Sequence, residues 1–147
     1  MKLSTKGRYA ARAMFDLALH SGEGPILIKD ISQRQEISEL YLKQLFIPLK
    51  VAGLVRAIRG ARGGFTLAKP PSQIKLIEII QIMEGSTAPV ECVDDAGICL
   101  RSDLCVTRQV WAEMKKAIDK VLESTTLQDL VEQQKGKMQA NAGTYQI

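Results

Sequence analysis

Three clusters of structure-breaking residues divide the first half of the chain and constrain its fold more than any other feature. Ser21-Gly22-Glu23-Gly24-Pro25 comes first, Arg59-Gly60-Ala61-Arg62-Gly63-Gly64 second, and Lys69-Pro70-Pro71-Ser72 third. Glycine opens backbone angles closed to other residues, and proline lacks the donor that helices and ladders need. Regular elements therefore stop at such clusters. Whatever folds before residue 73 must be built from short pieces confined between them.

Between the breakers the apolar pattern is helical. Ala10, Ala11, Ala13, Met14, Phe15, Leu17, Ala18 and Leu19 make residues 5–20 apolar on nearly every side. That predicts a first helix buried on most faces and capped by Ser4 or Thr5. Residues 29–36 predict a short second helix with Ile28 and Ile31 inward. Glu36-Ile37-Ser38 reads as a tight turn, and Ser38 suits the N-cap of a third helix reaching about Val51 and ended by Gly53. Leu42, Leu45, Phe46 and Leu49 form one face of that helix. Ser38, Glu39, Tyr41, Lys43 and Gln44 fall off it near the start. Pro48 predicts a kink in the last turn. Two helices joined by a tight turn, with polar groups opening the second, follow the helix-turn-helix plan.

Two β-prone runs, residues 54–58 and 65–68, flank the glycine-rich turn and predict a hairpin. Arg59 and Arg62 at its tip suit a probe of phosphates or of the minor groove. The spacing of a mononucleotide phosphate loop is absent. Charge agrees with a polyanion partner for this half. Residues 1–70 carry twelve Lys/Arg against five Asp/Glu, giving +7; residues 71–147 carry eight against eleven, giving −3. A basic half beside an acidic one points the first half toward nucleic acid.

The second half is organised differently. Ile74, Ile77, Ile79, Ile80 and Met83 predict a helix over 74–84, closed by Gly85. The stretch from Cys92 to Cys105 follows and holds every cysteine, spaced C-x6-C-x5-C. Asp94, Asp95, Gly97 and Asp103 favour turns there. Three gathered thiols suit an iron–sulfur cluster, copper(I) or zinc. The close cysteine pairs of structural zinc sites are absent. Residues 106–122 predict a long helix with Val110, Trp111, Met114, Ala117, Ile118, Val121 and Leu122 in one stripe. Such a stripe needs a cover, and a second copy of the chain in a two-fold homodimer is the expected one. Thr126-Leu127-Gln128-Asp129 opens a last short helix with Asp in the capping-box position, and residues 136–147 read as a loose tail.

No apolar run reaches membrane-spanning length, and Met-Lys-Leu-Ser-Thr-Lys lacks the apolar core of a secretory signal, so no membrane partner and a cytoplasmic location are expected. Three cysteines cannot all pair within one chain, and a reducing compartment disfavours disulfides. An enzyme is not expected: there is no nucleophile–base pairing, no HExxH and no phosphate loop. The single histidine, His20, reads as a group at the end of the first helix.

Several pieces in order carry a resemblance. They are Leu3-Ser4-Thr5-Lys6-Gly7-Arg8-Tyr9, Asp30-Ile31-Ser32, Ile37-Ser38 with Tyr41-Leu42, and Gln44-Leu45-Phe46. Gly53-Leu54-Val55, Arg59-Gly60 with Gly63-Gly64, and the cysteine triplet complete the set. Together they resemble the Rrf2 family of bacterial transcription regulators over residues 1–135, and within it the iron–sulfur cluster regulators of the IscR group. The resemblance implies a mainly α fold with a small β-hairpin wing: a winged helix-turn-helix followed by a long dimerisation helix. It implies a DNA-binding domain over 1–84, a cluster-binding loop over 85–106 and dimerisation helices over 107–135. It implies a homodimer on double-stranded promoter DNA, contacted through Ser38, Tyr41, Lys43, Arg59 and Gly60, to which the polar start of the third helix and the basic turn add Gln44 and Arg62. It implies an iron–sulfur cluster on Cys92, Cys99 and Cys105, 2Fe–2S ahead of 4Fe–4S. A thiol, redox or nitric-oxide sensor without a stable cluster is the alternative.

The chain departs from that pattern at three positions. Arg108 stands where the IscR pattern has a histidine ligand, and arginine cannot ligate a metal. Position 8 is Arg8, not the carboxylate of the nitric-oxide-sensing relatives. Lys43 stands where many relatives have glutamate. The fourth cluster donor is therefore expected to be an oxygen, from Asp94, Asp95, Ser102, Asp103 or Thr107, or an exogenous ligand, rather than His20.

Overall fold

The structure, a computed structural model, describes residues 2–144. The elements follow in the order α1 (Thr5–Leu19), α2 (Ile28–Gln35), α3 (Glu39–Val51), β1 (Val55–Ile58), β2 (Gly64–Leu67), α4 (Leu76–Glu84), α5 (Glu91–Asp94), α6 (Val106–Ser124) and α7 (Leu127–Thr144).

α1 is the central helix. The Ser4 hydroxyl caps it by accepting from the Gly7 N–H at 3.1 Å. Ala10, Ala13, Met14 and Leu17 are buried on it, as its all-round apolar pattern requires. Asp16 is buried too, with no exposed surface. Its carboxylate accepts from Arg34 Nη2 at 2.7 Å and Nε at 3.0 Å, and from Gln35 Nε2 at 3.1 Å. The two-pronged guanidinium satisfies both oxygens and offsets the cost of removing a charge from water. The carboxylate also raises the Arg34 pKa, first through this hydrogen bond. The pair clamps α2 across α1.

α2 ends at Glu36, a non-glycine residue in the left-handed region with φ 56° and ψ 45°. That one residue reverses the chain, Ile37 plugs the core, and Ser38 starts α3. α3 carries Pro48 within it and continues to Val51. A backbone bond is lost there, but Leu42, Leu45, Phe46 and Leu49 are all buried and hold the helix through the defect.

The hairpin pairs Val55 with Leu67 and Ile58 with Gly64. Phe65 stacks on Phe46 of α3, ring centroids 4.6 Å apart, and so fixes the wing to that helix. Ile26 adds a bridge on the outer side: its N–H donates to the Phe65 carbonyl at 2.9 Å and its carbonyl accepts from the Phe65 N–H at 2.8 Å. Gly64 makes that approach possible. Its φ is +150°, and a β-carbon there would lie 2.5 Å from the Ile26 carbonyl oxygen.

The last helix closes the core. Leu127 and Val131 of α7 are buried beside Ile74 and Ile79. Thr126 and Asp129 cap each other's backbone N–H groups, at 2.9 and 3.1 Å, so Asp serves where the capping box usually has Glu. α7 runs well past residue 135, where the apolar pattern stops and a loose tail is expected. Lys, Met, Gln and Ala in 135–142 favour helix without any apolar period, and they extend a helix already anchored at Leu127 and Val131. Residues 145–147 of the expected tail lie outside the described residues. Among the described residues no helix is long and apolar enough to cross a membrane.

Arg34→Met leaves the Asp16 carboxylate buried with only Gln35. We expect it to cost about 3–5 kcal/mol of unfolding free energy, measured by urea denaturation. Asp16→Asn should cost less, because Arg34 is partly exposed and can turn to water.

Candidate nucleic-acid interface and cysteine segment

The start of α3 is built as an exposed polar turn on a buried frame. The Ser38 hydroxyl accepts from the Tyr41 N–H at 3.2 Å and ends the helix in a side-chain cap. Ser38, Lys43 and Gln44 are exposed. Tyr41 is half-buried, its ring edge-on to Tyr9 at 5.7 Å and 88°. Tyr9 in turn lies under the Arg12 guanidinium, 5.4 Å from its ring centre. Arg12 also donates to the Gln35 side chain at 3.3 Å and to the Gln35 carbonyl. The turn from α2 to α3 is therefore held from below by α1.

Arg59, Gly60 and Arg62 are exposed at the tip of the wing. Gly60 has φ +110°, which lets the tip turn between the two arginines. Among the described residues Lys43, Arg59 and Arg62 enter no salt bridge, so these cations remain open to an outside anion. The Phe46–Phe65 stack places wing and α3 on one scaffold. Tyr9, Arg12, Arg34 and Gln35 were not singled out from the sequence. Asp16 carried the available signal, as the one charged residue in an otherwise apolar run from Ala13 to Leu19.

The cysteine segment is largely exposed. Cys92 lies in α5, Cys99 follows a single 3-10 turn over Ala96–Ile98, and Cys105 is the residue that caps α6. All three are free thiols, Cys99 exposed and the other two partly so. Among the described residues no three His, Cys, Asp or Glu side chains are gathered as metal ligands. The segment has its own ties. Asp95 Oδ1 accepts from the Gly97 N–H at 2.9 Å. Arg108 Nε donates to the Cys92 carbonyl at 2.8 Å, so the residue in the expected ligand position clasps α5 to α6 instead. The Cys105 thiol sits 3.2 Å from the Thr107 hydroxyl. That hydrogen bond, then the Arg108 N–H, lowers its pKa and favours the thiolate. Ser102, between the second and third cysteine, has a buried hydroxyl with no hydrogen-bond partner among the described residues. Three soft donors and one orphaned oxygen form a donor set that suits an iron–sulfur group, although the fold described here keeps them apart.

α6 buries none of its residues fully. It is tied to the body by Asp119, which accepts from the Thr87 hydroxyl and is braced within α6 by Lys115 at 2.7 Å. Val106, Val110 and Val121 are more than half exposed, and Trp111 is 37% exposed. Leu100 and Leu104 in the cysteine segment are almost wholly exposed.

A tight helix-turn-helix and a basic hairpin on one scaffold define the winged-helix DNA-binding regulators. The chain belongs to the Rrf2 family, described as iron-dependent transcriptional regulators, whose profile matches residues 3–133. It is 43% identical over 140 residues to the transcriptional regulator CymR of Bacillus subtilis, covering 95% of this chain and 96% of that one. It is also 43% identical over 134 residues to the transcriptional regulator IscR of Photorhabdus laumondii, covering 91% and 81%. Among solved structures, CymR of B. subtilis, the global cysteine regulator of that organism, superposes with TM-score 0.77 over 90% of this chain and 97% of that one. IscR of T. potens does so with TM-score 0.77 and 45% identity, over 90% and 88%. The protein is thus a transcription regulator and not an enzyme.

Ser38→Ala removes the cap of α3 and should lower unfolding stability by about 1 kcal/mol, read from thermal or urea melts. Ser38→Asp should restore most of that loss.

Proposed function

We propose that this Rrf2 regulator binds a near-palindromic promoter site as a homodimer, with its occupancy set by an iron–sulfur cluster on Cys92, Cys99 and Cys105. The observation that carries the reading is the C-x6-C-x5-C segment, which gathers the chain's three free thiols and the orphaned Ser102 hydroxyl into the stretch that leads into the helix that would join the two copies. The bound group would supply a soft, redox-sensitive link between thiolates, 2Fe–2S ahead of 4Fe–4S. The chain's part is to offer three thiols, an oxygen donor from Ser102 or an exogenous ligand, and an exposed apolar face on α6. That face is the proposed dimer surface, because Val110, Trp111 and Val121 lie on it uncovered. α6 acts as the dimerisation part and residues 1–84 as the reading part, while the start of α7, expected from the sequence to join the dimer surface, is taken up by the chain's own core. On DNA, Ser38, Tyr41, Lys43 and Gln44 enter the major groove, while Arg59, Gly60 and Arg62 follow the backbone or the minor groove.

Cluster state alters DNA affinity only through its different affinity for two arrangements of the segment, and a few kcal/mol suffices for a useful switch. A second reading is thiol sensing without a cluster. The lowered Cys105 pKa favours it, as does similarity to Staphylococcus aureus CymR, solved in an oxidised form.

Anaerobic purification separates the two readings. A brown protein with iron and sulfide supports the cluster; a colourless one with reversible thiol oxidation supports the sensor. Cys99→Ala should lose the visible chromophore and remain folded, and wild-type iron and sulfide in that variant would remove the cluster assignment. Pulsed EPR of the reduced protein should show no strongly coupled histidine nitrogen, and His20→Ala should keep the cluster.

On DNA, Arg62→Ala should weaken binding to all sequences and reduce the salt slope by about one. Lys43→Ala should change which bases are tolerated, at about 1–3 kcal/mol for the affected position. Competition titrations against single-base variants of the site measure both.

A further inference from the structure

Leu40 stands out among the exposed residues at the start of α3. It is the second residue of the helix and is 69% exposed, with only the charged Glu39 exposed beside it in the first turn. The core face of α3 runs through Leu42, Leu45, Phe46 and Leu49, all buried, so Leu40 contributes nothing to the core. It shares its face with Lys43 and Gln44, three and four residues on, and both are exposed. An apolar side chain thus sits within a group of hydrogen-bond donors, on a surface left open by the fold.

We propose that Leu40 is a specificity-determining residue that packs against the 5-methyl group of a thymine in the major groove. This rests on the reading of α3 as the helix that enters that groove. Lys43 and Gln44 present donors suited to purine edges. A leucine cannot answer any donor or acceptor on a base edge, and it strips water from whatever it covers. Against guanine N7 and O6, or the amino group of cytosine, that leaves a polar group unpaired and costs affinity. Thymine alone offers an apolar group in the major groove. Leu40 therefore favours thymine by contact and disfavours the other bases by desolvation.

The protein as purified without air is used to select duplexes from a random library. In the selected duplex each thymine is then replaced in turn by deoxyuridine, which deletes only the methyl group. For the wild type, one thymine in each half-site should lose about fourfold in affinity on losing its methyl, the equivalent of one buried carbon. Leu40→Ala should bind the thymine duplex about as weakly as the wild type binds the uridine one, and should show no further loss on uridine. Leu40 is exposed, so the variant should melt with the wild type. An undiminished uridine penalty in Leu40→Ala would overturn the proposal. So would indifference of the wild type to every thymine methyl. Loss of the penalty in Ile47→Ala rather than Leu40→Ala, Ile47 being the next exposed apolar residue of α3, would overturn it too. A library that enriches no duplex would overturn both this proposal and the placement of α3 in the groove.

Discussion

A single buried carboxylate decides how the first half of this protein is assembled. Asp16 lies on the central helix with no exposed surface, and its partners Arg34 and Gln35 lie on α2. A charge in that position is tolerated only when its partners are in place, since an unpaired one would cost several kcal/mol. Apolar packing alone would let α2 slide or rotate against α1 at little cost. The forked guanidinium admits one placement. Because α2 leads through Glu36 and Ile37 directly into α3, that placement also sets the direction of α3. Arg12, Tyr9 and Tyr41 extend the same control to its first turn.

The molecule divides its work along the chain. The basic first half supplies a rigid frame with unpaired cations on its outside. The acidic second half supplies a long helix held by few contacts and a segment of thiols held by fewer. Asp119 joins Lys115 and Thr87, and burial there opposes its charge; the two hydrogen bonds more than offset that and keep its pKa low. The Thr87 bond fixes α6 to the segment that leaves α4.

The sequence made the helix-turn-helix and the wing legible because both depend on local signals: a 3.6-residue apolar period, a serine cap and a glycine-rich turn. The ion pair of Asp16 and Arg34 was not legible, because the partners lie eighteen residues apart and either could have faced water. The end of α7 was missed for the opposite reason. Residues 136–142 hold helix formers in Lys137, Met138, Gln139, Ala140 and Ala142, but Gly136 and Asn141 oppose helix and no apolar period marks the stretch. In the cysteine segment the residue types were readable and their spatial arrangement was not. Gathering three thiols depends on a turn-rich segment whose local preferences do not specify it. Ser102 and Arg108 could be singled out from residue order, but not the burial of the one hydroxyl or the bond of the other to the Cys92 carbonyl.

The bridge between Ile26 and Phe65, possible only beside Gly64, divides the wing into two kinds of position. Gly64 and Phe65 are bound by geometry: one admits no side chain and the other fills the space against Phe46. Arg59 and Arg62 make no hydrogen bond among the described residues and carry no share of the packing. Substitutions at the tip can therefore accumulate without loss of the fold, while substitutions at the base cannot. The wing can therefore change its charge at the tip and keep its shape at the base.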